Sequence, residues 1–215
     1  MGPQRTRTAG AARANQLEAI VQGVLERIRL PYLLDRLPDR PVLAFFSLVN
    51  GFLSIAVMAA VALVTDQPFV FPSLGPTAFL FFYTPLAPTA SPRNAIYGHL
   101  IGAVVGFGCL AVFGLRDEGP STAVGVTWER VMAAGLSLGL TSGLMVLARA
   151  AHPPAGATTL IFSLGVLTEV SELAVLMVAV VLLTLQAIII NRLAGMPYPL
   201  WEAKAPQRQD EGSER

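Results

Sequence analysis

Residues 151–165 read AHPPAGATTLIFSLG, and residues 71–85 read FPSLGPTAFLFFYTP. Both are apolar, yet each is too short and too broken to be an ordinary membrane span. They align with each other. Pro72, Gly75, Thr77 and Leu80-Phe81 match Pro153, Gly156, Thr158 and Leu160-Ile161-Phe162, with Pro72 and Pro153 81 residues apart. Proline cannot donate a backbone hydrogen bond, and glycine permits backbone shapes that other residues avoid. Together they favour an extended lead-in followed by a helix that starts inside the membrane. Such a helix directs unpaired N–H groups and a partial positive charge at whatever lies in front of it.

Each broken element lies between two apolar stretches long enough to cross a bilayer. Pro41 to Val64 runs without a charge, and 24 residues make roughly 36 Å of helix, enough for a hydrocarbon core of about 30 Å. Asn94 to Leu115 holds His99 as its one ionisable side chain apart from Tyr97 and Cys109. Thr127 to Arg149 is charged only near its ends, and Glu172 to Ala194 carries an unbroken apolar run from Leu173 to Leu183. With 53% hydrophobic and 13% charged residues, against about 25% charged in soluble domains, the chain reads as an all-α polytopic membrane protein. Its order is span, Pro/Gly-broken half-helix element, span, repeated, which gives four full spans plus two broken or re-entrant segments. The repeats cover 41–115 and 127–194 within a transmembrane domain of 41–201. If each broken element dips and returns, the chain crosses four times and the repeats are parallel. If each passes through, it crosses six times and the repeats are inverted. Loop arginines balance in both arrangements, but opposed half-helices can aim at one place, which favours six.

Seven arginines precede Pro41 (Arg5, Arg7, Arg13, Arg27, Arg29, Arg36 and Arg40), which places the N-terminus in the cytoplasm. Residues 1–40 form an N-terminal region in which Leu17, Ile20, Val21, Val24, Leu25 and Ile28 follow helical spacing. This predicts an amphipathic helix on the membrane surface, or alternatively one that binds a partner. No signal-peptide pattern is present, and the expected location is a bacterial inner membrane, with an organelle transit leader as the alternative. The polar tail 202–215 reads as disordered, and Tyr198 and Trp201 suit an interfacial aromatic belt. The net charge of +1, with clustered arginines, gives no sign of a nucleic-acid partner. Cys109, the single cysteine, reads as a buried small hydrophobe.

The candidate binding set is Pro72, Ser73, Gly75 and Thr77 on the first broken element, and His152, Pro153, Pro154, Gly156, Thr158 and Thr159 on the second. Arg93 and Arg149 flank the elements, and His99 lies early in the second span. The reading is of two half-helix N-termini, at Gly75 and Gly156, converging on a small inorganic anion near the bilayer middle, with threonine hydroxyls beside them. Arginine suits planar oxyanions, although it also serves as a snorkelling anchor at a span's edge. Histidine can donate to an anion and can carry a proton. Plain re-entrant packing is the alternative for both elements, and two in register argue against it. Asn50 and Gln186 read as interhelical hydrogen-bonding residues. Gly98, Gly102 and Gly106 form one small-residue ridge and Gly135, Gly139 and Gly143 another, suited to close packing within the bundle or to a homo-oligomer. No motif for catalysis, a metal or a cofactor is expected.

The triplet His152-Pro153-Pro154, the segment Pro72-x-x-Gly75, and Pro92-Arg93-Asn94 leading to Gly98-His99 resemble the HPP family of integral membrane proteins, over about Pro41 to Ala194. The resemblance implies four membrane-spanning helices and, from plastid and cyanobacterial members, nitrite as the solute. Some relatives carry C-terminal CBS regulatory domains, and this sequence has no region that resembles one. A non-transporting scaffold or sensor, or a channel for neutral solutes, stands as the alternative function.

Overall fold

The computed structural model describes residues 29–203, so the amphipathic stretch around 17–28 and the tail from 204 lie outside the described residues. Eight α-helices and no strand occur among the described residues. They are α1 (Leu30–Arg36), α2 (Asp39–Thr65), α3 (Leu74–Tyr83), α4 (Pro92–Val112), α5 (Ser121–Val124), α6 (Trp128–Leu147), α7 (Ala155–Ser163) and α8 (Val170–Leu193). Four of them, α2, α4, α6 and α8, are long and apolar enough to cross a membrane. The half-helices α3 and α7 coincide with the two broken elements.

Contacts between loops set the direction of each pass. The Leu30 N–H donates to Ala194 O, and the Arg93 N–H donates to Trp201 O, both at 2.9 Å. The Arg93 guanidinium reaches Ala148 and Arg149 carbonyls. The starts of α2 and α4 and the ends of α6 and α8 therefore share one face, here the near face. On the far face, the Ser121 N–H donates to Leu164 O, and Arg116 lies 3.7 Å from Glu169. The end of α4, the start of α6 and the start of α8 meet there. Four long helices and two half-helix elements thus make six passes, and the second repeat is inverted relative to the first. α7 runs parallel to α4 from the near face toward the far one, whereas α3 runs the opposite way.

The ridge on α4 explains the closest packing. A Cβ placed on Gly98 would come within 2.7 Å of the His152 Cβ, and one on Gly102 within 2.6 Å of Ala155 O. One on Gly106 would strike the Thr159 carbonyl. The α7 backbone lies directly on the α4 backbone, as a small-residue seam allows. The other ridge behaves differently. Among the described residues, Gly135, Gly139 and Gly143 have no neighbour for an added Cβ and face outward, because α6 buries Ala133, Ser137, Thr141 and Met145 instead.

Two smaller expectations change. Asn50 bonds to Phe46 O in its own helix, while Gln186 does bridge helices, to Met58 Sδ. Tyr198 is not part of an exposed belt: it is fully buried, and its hydroxyl donates to Ala90 O at 2.6 Å. Burial away from water pushes its phenol pKa up, so the group stays a donor. Trp201 is exposed.

Two tests follow from this packing. Gly106→Val should lower thermal stability in detergent by about 1–3 kcal/mol or prevent folding, as overpacking does, whereas Gly139→Ala should leave the melting temperature nearly unchanged. In a Cys109→Ala background, cysteines placed at Asp66 and Glu118 should label from one side of a vesicle, and those at Leu86 and Arg149 from the other. Labelling of Asp66→Cys and Leu86→Cys from the same side would restore the dip-and-return arrangement.

Candidate functional site: a buried histidine–threonine cluster

Thr77 and Thr158 occupy the same position, the fourth residue, of α3 and α7. Inversion of the repeats brings these two first turns toward each other, and the imidazole of His99 lies between them. Its Nε2 is 2.9 Å from Thr77 Oγ1, and its Nδ1 is 2.7 Å from Thr158 Oγ1. His152, just ahead of α7, adds its Nε2 at 3.2 Å from Thr77 Oγ1. The His152 Nδ1 lies 2.7 Å from Thr89 O. A carbonyl can only accept, so His152 Nδ1 carries a proton and donates it. The two histidine rings are 5.0 Å apart. Thr77, His99, His152 and Thr158 are all fully buried.

The neutral cluster has one consistent direction. Thr158 donates to His99 Nδ1, His99 Nε2–H donates to Thr77, Thr77 donates to His152 Nε2, and His152 Nδ1–H donates to Thr89 O. Each group is satisfied, as buried polar groups in hydrocarbon must be. His99 is seven residues into α4, so the cluster lies about 10 Å from the near-face end of that helix. That is on the near side of the bilayer middle, where the sequence reading centred it.

The remaining candidates divide. Thr159 donates to Thr141 Oγ1 at 2.9 Å, which ties α7 to α6. The Ser73 carbonyl lies 2.9 Å from the Thr77 hydroxyl, a second acceptor for its one proton, while Ser73's own buried hydroxyl has no partner among the described residues. Pro154 is buried, whereas Pro72, Pro153 and Gly75 are exposed. The first amides of α7 are not free: Ala155, Gly156 and Ala157 donate to His152, Pro153 and Pro154 carbonyls. This tight first turn consumes donors that the sequence reading left open at Gly156.

The arginines lie away from the cluster. Arg93 donates to Arg149 O at 2.8 Å and to Ala148 O at 3.2 Å, closing the C-terminal end of α6. It also lies 3.9 Å from the exposed Glu202. Arg149 is exposed, with φ 51°. Sequence adjacency to a broken element placed both arginines near it in the chain, but Arg93 bonds to the end of α6 and Arg149 is exposed on the same near face.

Several supporting residues carried only weak signals. Asn94 donates to Ala151 O and Asn191 to Phe81 O, each holding an end of a broken element. Both are amides inside apolar helices, which marks a polar partner but not which one. Thr89 acts through its backbone and has no side-chain signal at all. Arg130 is buried on the far face, donating to Gly119 O.

Removing the central hydroxyl tests this arrangement. Thr77→Val leaves both histidines short of a partner and should cost about 1–3 kcal/mol of stability in a detergent melt. In a double-mutant cycle with His99→Leu, the two losses should be clearly smaller than additive. Additive losses would mean that the two side chains do not interact.

The comparisons with known proteins place the chain among transmembrane proteins. A family model described as HPP, transmembrane region, matches residues 38–199. A transmembrane protein of Dictyostelium discoideum is 29% identical over 160 residues, covering 70% of this chain and 53% of its own length. A second from the same organism is 31% identical over 120 residues, covering 54% of this chain and 35% of its own. The chain thus spans about half the length of the first relative and about a third of the second. No solved structure matches. With six passes arranged as inverted repeats around the His152-Pro153-Pro154 element, and a family match over most of its length, the chain belongs to the HPP family of transmembrane proteins.

Proposed function

We propose that this protein moves a small monovalent anion across the membrane, with nitrite as the first candidate. The observation that carries the reading is the His99 imidazole held between Thr77 and Thr158, the equivalent residues of two opposed half-helices. Two N-terminal ends facing one point add their partial positive charges there, and interrupted helices at matching places in two repeats mark solute sites in transporters. Hydroxyls of Thr77 and Thr158 would contact the anion, with His152 beside them and the first-turn amides near Gly75 and Gly156 as further donors. In the closed arrangement the histidine rings fill this place, so a solute takes it only when His99 swings aside and the first turn of α7 loosens. Arg149, exposed at the near face, would gather anions from solution, and Arg93 would hold the rim.

A non-transporting scaffold or sensor is the second reading, favoured by the complete bonding and burial of the cluster. Purified protein in liposomes, under gradients of nitrite, nitrate, formate and chloride, separates the two. Uptake of at least one anion is expected. Gly156→Leu, whose side chain would press toward Leu138, should abolish uptake, while Cys109→Ala should leave it unchanged. Absence of flux for all four anions in folded protein would leave the scaffold reading standing.

A further inference from the structure

The Thr77 hydroxyl has three polar neighbours and a single proton. They are Ser73 O at 2.9 Å, His99 Nε2 at 2.9 Å and His152 Nε2 at 3.2 Å. A hydroxyl donates once and accepts twice. All three contacts are therefore bonds at the same time only if Thr77 donates to the Ser73 carbonyl and both histidines donate to Thr77. His152 already donates through Nδ1 to Thr89 O, so donating through Nε2 as well makes it an imidazolium. His99 stays neutral, because its Nδ1 still accepts from Thr158. In the neutral cluster Thr77 turns its proton to His152 instead, and the Ser73 carbonyl loses that bond. The same heavy-atom positions thus serve both protonation states, and a single hydroxyl rotation separates them.

We propose that His152 is a proton seat, and that each anion passing the cluster moves together with a proton. This rests on the anion-transport reading. The groups around His152 explain the coupling. Thr77 faces it from α3, His99 from α4, and Phe81 packs near its ring. Among the described residues, Tyr83 on α3 and Tyr97 on α4 are exposed, Cys109 packs with Leu110 and Leu115 toward the far end of α4, and Tyr198, Arg192, Arg93 and Arg149 come from the near-face segments. Tyr198 donates to Ala90 O, Arg192 to Tyr198 O, and Arg93 to the α6 end, while Arg149 is exposed. Among the described residues, no carboxylate contacts the cluster. A lone anion there would be a buried charge without a counter-ion, and so would a lone imidazolium; each is costly alone. Together they are an ion pair. A proton from water binds the Nε2 lone pair of His152, Thr77 rotates toward Ser73 O, and the positive charge gained equals the negative charge brought by the anion.

The test uses wild-type protein in liposomes with pyranine inside, a sodium nitrite gradient, and valinomycin with equal potassium to hold the voltage at zero. After subtraction of the leak in protein-free liposomes, nitrite uptake should persist at zero voltage and acidify the lumen. It should rise with external acidity by up to about tenfold per pH unit. Uptake that follows an imposed voltage and moves no proton overturns the coupling while leaving anion transport intact. Absence of uptake removes both. His152→Gln, which cannot take up the proton, should lose nitrite-dependent stabilisation and proton movement together, and a folded variant that still shows both would overturn the proposal. Because that variant could fail to fold, nitrogen NMR of the two histidines in wild-type protein provides a second measurement. Added sodium nitrite should convert one ring to imidazolium, and two neutral rings at saturating nitrite would overturn the proposal.

Discussion

Close approach of two backbones governs this molecule. Without side chains at Gly98, Gly102 and Gly106, the first turns of α7 lie directly against α4, and His99 comes within reach of Thr158. A methyl group at any of the three would collide with the His152 Cβ or an α7 carbonyl, so the two elements would have to move apart. Once the helices are in contact, the absence of water does the rest. Polar side chains in hydrocarbon must find partners inside the protein. Here threonines and histidines from α3, α4, α7 and the segment before α7 satisfy one another. The cluster follows from where the glycines allow the chain to pack.

Inversion of the repeats gives the cluster its character. Two parallel half-helices would point their positive ends the same way and never meet at one place. Antiparallel, α3 and α7 bring equivalent threonines to opposite sides of a single ring. The near-face ends of this assembly are tied down firmly. Tyr198 holds Ala90, Asn191 holds Phe81, Asn94 holds Ala151, and Arg93 holds the end of α6. These bonds fix the approaches to His152 from both repeats. The His152 ring is held at one end by the Thr89 carbonyl and at the other by a hydroxyl that can reverse its role.

Much of this was legible in the residues. The prolines and glycines of the two broken elements, and the threonine that follows each, mark both half-helices and their pairing. His99, His152, Thr77 and Thr158 are the four candidates that the fold brings together. Arg93 and Arg149 were singled out by their places in the chain, and the fold leaves Arg93 bonded to the end of α6 and Arg149 exposed. Tyr198 suited an aromatic belt by its distance from the last span, yet the chain folds back and buries it. The Thr141–Thr159 bond and the carbonyl of Thr89 carried no signal, because one joins ordinary threonines on different helices and the other involves only backbone. The two glycine ridges are indistinguishable by spacing. One packs α7, and the other faces outward.

What the sequence determined by itself is local: apolar lengths matched to a bilayer, helix breaks at Pro72 and Pro153, and the repetition of one pattern. Each of these depends on backbone geometry within a few residues. Tertiary structure alone decided the six passes, which ridge is buried, and the union of residues 59 and 75 positions apart around His99 and Thr77. Those outcomes depend on which helix faces come into contact, and a periodic pattern along one helix does not name its neighbour.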